Sequence, residues 1–251
     1  MKMVFKNFEQ QLEIQAGKVN VLRFENKELF SRCVHSLCCL FEDGCLEPAY
    51  FFEGTKEKKP KDVLFLVGDL AFFDLNDKAF AAAALKKVSA MLIEDEAVRE
   101  ESERLNNLLL QITFDTLNQL SANYDLVDEW DASKYLKSMG FCIEREVENL
   151  FEKALQILCL SADLLPEKIL VFVNLATYLT QEQQVEFSRQ VEAMNLLVLS
   201  YEIGDTFKSQ HIDSGIFVDA NFLEYQILSK EAVSCSRDFA PFEVLGQRHF
   251  G

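Results

Sequence analysis

Four carboxylates fall within seven positions of the segment NYDLVDEWD: Asp125, Asp128, Glu129 and Asp131. Held so close, they repel one another unless water or a cation bridges them. An all-oxygen donor set with backbone carbonyls nearby is the chemistry of Ca2+, which accepts many oxygens in a flexible shell. The spacing is not that of an EF-hand, because no glycine holds the middle and no glutamate closes the loop. A metal-free reading stands beside it: acids at the start of a helix over Ala132–Met139 favour its dipole.

The opposite charge is also clustered. Lys56, Lys58, Lys59 and Lys61 occupy four of six positions, Lys86 and Lys87 are adjacent, and Lys134 and Lys137 lie one turn apart on the expected helix. The chain as a whole carries a formal net charge of −16, a field that repels nucleic acid unless positive charge is concentrated locally or cations neutralise the acids. Lysines of this kind contact phosphates electrostatically and without sequence preference. The same loop also reads as ordinary solvated surface. Glu57 and Lys59, with Asp43 upstream, sketch a Mg2+-dependent nuclease site. Gly54 and Pro60 bracket that segment, however, and predict a loop where such a site wants a rigid element.

Other chemistries find less support. Gly17-Lys18 is followed by Val19 where a phosphate loop needs a hydroxyl, and the upstream glycine is missing. The run VLFLVGD ends in Asp69 as a Walker-B strand would, without its partner loop. Only three histidines exist, His35, His211 and His249, and no serine or cysteine sits in a nucleophile elbow. The seven cysteines include no CxxC pair, so reduced and mostly buried thiols are expected, in keeping with a cytoplasmic location.

These residues must be positioned by the rest of the chain. A length of 251 residues and a 49% hydrophobic composition with 22 Phe support a substantial core and exclude disorder. No apolar run reaches membrane-spanning length, and Met1–Gln15 lacks the apolar centre of a signal peptide. Strands are predicted at Val19–Phe24, Tyr50–Glu53, Asp62–Val67, Ile169–Val173 and Leu196–Tyr201. Three of these (VLFLV, ILVFV, LLVLS) are apolar throughout, as strands covered on both faces are. With helical patterns between them, they predict an α/β fold with a mostly parallel sheet.

The helices are expected from Asn26 to Phe41, through one or two long helices over Asn76–Ser121, before Gly140, and after a capping box at Thr180 and Gln183. Phe80, Ala84, Val88 and Leu92 make one apolar stripe. Leu105, Leu108, Leu109 and Ile112 make another, and Val147, Leu150, Phe151 and Ala154 a third. The expected organisation is a discontinuous α/β head (1–75 and 165–225), an inserted extended α-helical domain (76–164) and a peripheral tail (226–251).

Several pieces, in order, match a known family. LKSMG (Leu136–Gly140), LFEKALQIL (Leu150–Leu158), and ILVFVN followed by YLT (Ile169–Asn174, Tyr178–Thr180) resemble the type II-A CRISPR-associated adaptation proteins of the Csn family. VNVLRFENKELFSRCV and DVLFLVGDLAFFDLND stand where that family has its early strands. The likeness runs from about Val4 to Tyr225. It implies a head similar to a phosphate-loop ATPase without the loop and without nucleotide, joined to the helical domain. It also implies a homotetrameric ring that takes up double-stranded DNA ends without sequence preference and without cutting. Ca2+ is the implied ion, and the CRISPR integrase and type II effector nuclease are the implied partners in spacer acquisition. Asp128 and Glu129 fall where the family places acids, Asp125 and Asp131 align less directly, and Lys134 replaces a family acid.

Overall fold

The computed structural model describes residues 1–42, 44–121, 125–126, 129–144, 147–204 and 214–228. The elements in chain order begin with β1 (Lys2–Phe5), β2 (Gln11–Glu13), β3 (Lys18–Phe24), α1 (Lys27–Cys38), β4 (Ala49–Glu53), β5 (Lys56–Lys58), α2 (Pro60–Val63) and β6 (Leu64–Asp69). They continue with α3 (Lys78–Glu94), α4 (Glu96–Leu117), α5 (Ala132–Ser138), α6 (Leu150–Leu164), β7 (Ile169–Val173) and α7 (Leu175–Tyr178). The last four are α8 (Gln181–Ala193), β8 (Leu197–Ile203), β9 (Ser214–Val218) and β10 (Glu224–Leu228). They fall into two compact units, one of residues 1–73 with 147–251 and one of residues 74–146.

The first unit is built on a six-stranded sheet in the order β10-β9-β3-β8-β7-β6. All neighbours are parallel except the β9–β10 hairpin, so the expected mostly parallel α/β sheet is what the chain forms. Period-two alternation gives the strands two buried faces. From one face Leu22, Phe24, Leu199, Tyr201 and Ile216 enter the main core with Leu29, Cys33 and Leu37 of α1. On the other, Val19 and Val21 meet α8 and its Phe187. Gly215 lets β9 approach β3: a β-carbon there would collide with the Val21 carbonyl.

A second, antiparallel sheet in the order β2-β1-β4-β5 covers the main core with Met3, Phe5, Leu12 and Phe51. Of its strands only β4 is apparent in the sequence, because the others are short and of mixed polarity.

Two domain boundaries differ from expectation. Helix α6, assigned by its position to the helical domain (76–164), buries Ala154, Ile157, Leu158 and Ser161 in the first unit and packs on α8. Residues 226–228, assigned to the tail, continue β10 along β9. Residues 229–251 lie outside the described residues.

The second unit contains α3, α4 and α5. The proline-free stretch Asn76–Ser121 divides at Asp95, whose side chain accepts a hydrogen bond from Val98 N and so caps α4. Asn76 holds the start of this unit to its end, donating to the Ile143 carbonyl at 2.6 Å and accepting from Ile143 N at 2.8 Å. Phe80 and Ala84 of α3 and Ala132 of α5 are buried where the two helices pack. No helix among the described residues is long and apolar enough to cross a membrane.

Candidate nucleic-acid interface

The candidate lysines are carried by different elements. Lys56 and Lys58 stand on β5, paired with β4 in a hairpin, and not in the expected loop. Lys58 forms an ion pair with Glu53 at 2.8 Å, whereas Lys56, Lys59 and Lys61 are exposed. Lys59 and Lys61 flank Pro60, the first residue of α2, where a missing N–H costs the helix nothing. Lys86 and Lys87 are exposed on α3, and Lys134 and Lys137 on α5, which packs against α3. The structure thus brings these four lysines onto one helix pair of the second unit. The Lys56–Lys61 group belongs to the first.

Of the four candidate calcium ligands, Asp128 lies outside the described residues. Asp131 is the N-cap of α5: its Oδ1 accepts from Ser133 N at 2.9 Å and Lys134 N at 3.0 Å. Lys134 returns an ion pair to Asp131 Oδ2 at 3.5 Å. These backbone donors, chiefly the Lys134 N–H, hold the Asp131 carboxyl below its ordinary range. Asp125 and Glu129 are exposed, and Asp125 accepts from Leu126 N at 3.0 Å. Among the described residues no three metal-binding side chains converge. The segment is therefore chemically able to offer carboxylate oxygens, with one of them already committed to a helix cap.

At the carboxyl edge of the parallel sheet, where such folds usually bind ligands, polar side chains find partners within the protein. Gly17-Lys18 sits at the opposite end, entering β3, with Gly17 N bonded to the Leu196 carbonyl. Asp69 receives the Tyr178 hydroxyl on both oxygens, at 2.7 and 2.8 Å. Glu202 accepts from Ser200 Oγ at 2.5 Å and Ala176 N at 3.1 Å, and so occupies the start of α7. Burial raises the Glu202 carboxyl, against the opposing hydrogen bonds and the nearby Arg23. The cavity beside this pair is about 40 Å³, room for a few waters. Arg23, Ser200, Glu202 and Tyr178 were not among the sequence candidates. For Arg23 and Ser200 the signal was a polar residue inside runs that otherwise read as core.

Of the nuclease candidates, Lys59 is exposed beside Pro60. Glu57 is exposed on β5, and Asp43 lies outside the described residues. His211 and His249 also lie outside them. His35 is exposed near the end of α1. The six described cysteines are unpaired thiols; four of them (Cys38, Cys39, Cys142 and Cys159) are exposed, against the expectation of burial.

A mostly parallel sheet buried on two faces, followed after β6 by an inserted helical unit, defines a mixed α/β protein. Residues 45–215 match the family model described as CRISPR-associated protein (Cas_Csn2), and the chain belongs to this family. It is 27% identical over 204 residues to a CRISPR-associated protein Csn2 of Enterococcus faecalis, covering 80% of this chain and 90% of that one. It is 26% identical over 188 residues to a Csn2 of Streptococcus agalactiae, covering 74% and 82%. The crystal structure of Stu0660 of Streptococcus thermophilus shares the fold with a TM-score of 0.58 at 14% identity, over 95% of this chain and 82% of that one.

Proposed function

We propose that this protein is a non-catalytic subunit of a homotetrameric ring that binds double-stranded DNA ends without sequence preference and supports CRISPR spacer acquisition in the cytoplasm. The observation that carries the reading is α4. This helix of 22 residues has no buried residue at all, although Leu105, Leu108, Leu109 and Ile112 form an apolar stripe and are 46%, 48%, 64% and 55% exposed. An apolar stripe of roughly 10 Å, two turns long, on a helix that buries nothing supports a surface that other subunits cover. The exposed lysines of α3 and α5 supply phosphate contacts beside it. Ca2+ held by Asp125, Asp128, Glu129 and Asp131 offsets the negative field of the chain. The integrase and the effector nuclease of the locus are its partners, and it needs no nucleotide.

The test is molar mass by sedimentation in calcium and in chelator, with band shifts on linear and covalently closed duplex. Expected are a tetramer in calcium and binding of the linear form only. That binding should fall steeply with salt, as several neutralised phosphates require. A monomer that shifts neither form in calcium overturns the reading, and shortening of linear duplex in Mg2+ replaces it with a nuclease.

A further inference from the structure

The carboxyl end of α1 presents two soft donors to solvent. His35 and Cys39 are four residues apart, a spacing that stacks their side chains on one helical face, and both are exposed. Cys39 Sγ lies 4.0 Å from His35 Nε2. A nitrogen and a thiolate bound to one tetrahedral zinc ion, at about 2.0 Å and 2.3 Å, stand roughly 3.6 Å apart. An adjustment of about 0.4 Å between two exposed side chains turns the contact into a chelate.

The backbone beneath them is held firmly. Cys39 N donates to the His35 carbonyl at 3.1 Å, and Phe41 N returns to the Ser36 carbonyl at 2.8 Å. Leu40 and Phe41 turn the chain in the left-handed region, with φ of 49° and 54°. Phe41 pays for that conformation by packing against Phe5 and Phe51. The donors also sit at the negative end of the helix dipole, in a chain of net charge −16, and both features favour a cation. Cys33, about one and a half turns into the same helix from its carboxyl end, is buried in the core. Among the described residues no third donor joins the pair, so water completes the shell.

We propose that His35 and Cys39 form a chelating site for a soft divalent ion of the zinc class, distinct in donor chemistry from the oxygen-rich segment 125–131. Binding breaks the Cys39 S–H bond and forms a sulfur–metal bond, with the proton passing to water, while neutral His35 donates the Nε2 lone pair.

The test is a cadmium titration of the reduced full-length chain, read by thiolate-to-metal charge-transfer absorption, with zinc as competitor. One saturable equivalent is expected in the parent chain and in Cys38→Ser and Cys142→Ser. The dissociation constant should rise by at least about tenfold in His35→Ala and in Cys39→Ser. Thermal unfolding without metal should be the same in all five, because every substituted side chain is exposed. A His35→Ala chain that titrates like the parent overturns the proposal. So does loss of the phase in Cys38→Ser or Cys142→Ser, or no saturable phase in any of them.

Discussion

Arg23 of β3 and Glu202 of β8 stand directly opposite each other in the parallel ladder, and both are buried. Burial lowers the Arg23 guanidinium, with Glu202 acting against that shift, and raises the Glu202 carboxyl. The charges therefore oppose a desolvation cost that neither could meet alone. Glu202→Ala removes the carboxylate and leaves the Arg23 charge in the sheet, so it is expected to cost about 3–5 kcal/mol. The double variant Arg23→Met/Glu202→Leu should recover most of that loss. Urea unfolding of the single and double variants measures the coupling; additive losses would show that the two side chains do not act as a pair.

Glu202 also gives the protein a pH signature. Its folded carboxyl holds a proton to higher pH than the unfolded chain does. Below the ordinary glutamate range both states are protonated and the residue contributes nothing. Between that range and the raised folded value the native state binds more protons, so stability falls as pH rises, by at most about 1.4 kcal/mol per unit. Glu224, which burial raises while it accepts from Glu9 N and Gln10 N, has the same sign. Unfolding midpoints of the parent chain and Glu202→Gln across this window should converge at its acidic end and separate at its alkaline end. Parallel curves would assign the slope elsewhere.

Tyr201 is wholly buried, and its hydroxyl finds no hydrogen-bond partner among the described residues. An unsatisfied buried hydroxyl costs free energy that a phenyl ring of the same shape does not. Tyr201→Phe is expected to leave stability unchanged or raise it by about 1 kcal/mol. A loss on that scale in urea unfolding would mean that the hydroxyl is bonded in solution.

These buried polar groups mark the limit of what the pattern of residues conveys. The runs at 64–69, 169–173 and 197–203 are apolar enough to be recognised as strands of the parallel sheet, and the caps at Asn26 and Thr180 set their helices where expected. Periodicity shows that a helix has an apolar face but not what meets it. The stripe of α6 therefore reads like that of α4, although one is buried in the first unit and the other is exposed. Strands as short as β2 and β5 carry too few residues for alternation to register. Of the candidate lysines, the clustering is visible in the sequence, but the strand that carries Lys56 and Lys58 and the ion pair of Lys58 with Glu53 are not. Which carboxylate serves as a cap and which is spare depends on backbone N–H positions that composition does not encode.

The exposed stripe of α4 separates folding from assembly. Because no residue of the helix is buried, Leu105→Glu with Leu109→Glu should leave urea unfolding within about 0.5 kcal/mol of the parent chain. A charge placed at the centre of a subunit contact costs far more, so the same variant should run as a smaller species in sedimentation with calcium. An unchanged mass would remove α4 from the interface.

Asp131 allows its two roles to be told apart. Its Oδ1 caps α5 through Ser133 N and Lys134 N, and asparagine caps a helix about as well as aspartate. Asp131→Asn thus keeps the cap and removes the negative charge that a calcium ion would use. Asp131→Ala removes both and should cost about 1 kcal/mol. If the residue is a ligand, Asp131→Asn weakens calcium binding in titration calorimetry while its unfolding midpoint stays near that of the parent. If it is a cap alone, Asp131→Asn binds calcium as the parent does, and only Asp131→Ala shows a loss, confined to stability. Because the backbone donors already hold this carboxyl below its ordinary range, it is ionised throughout the neutral range. The comparison can therefore be made at a single pH.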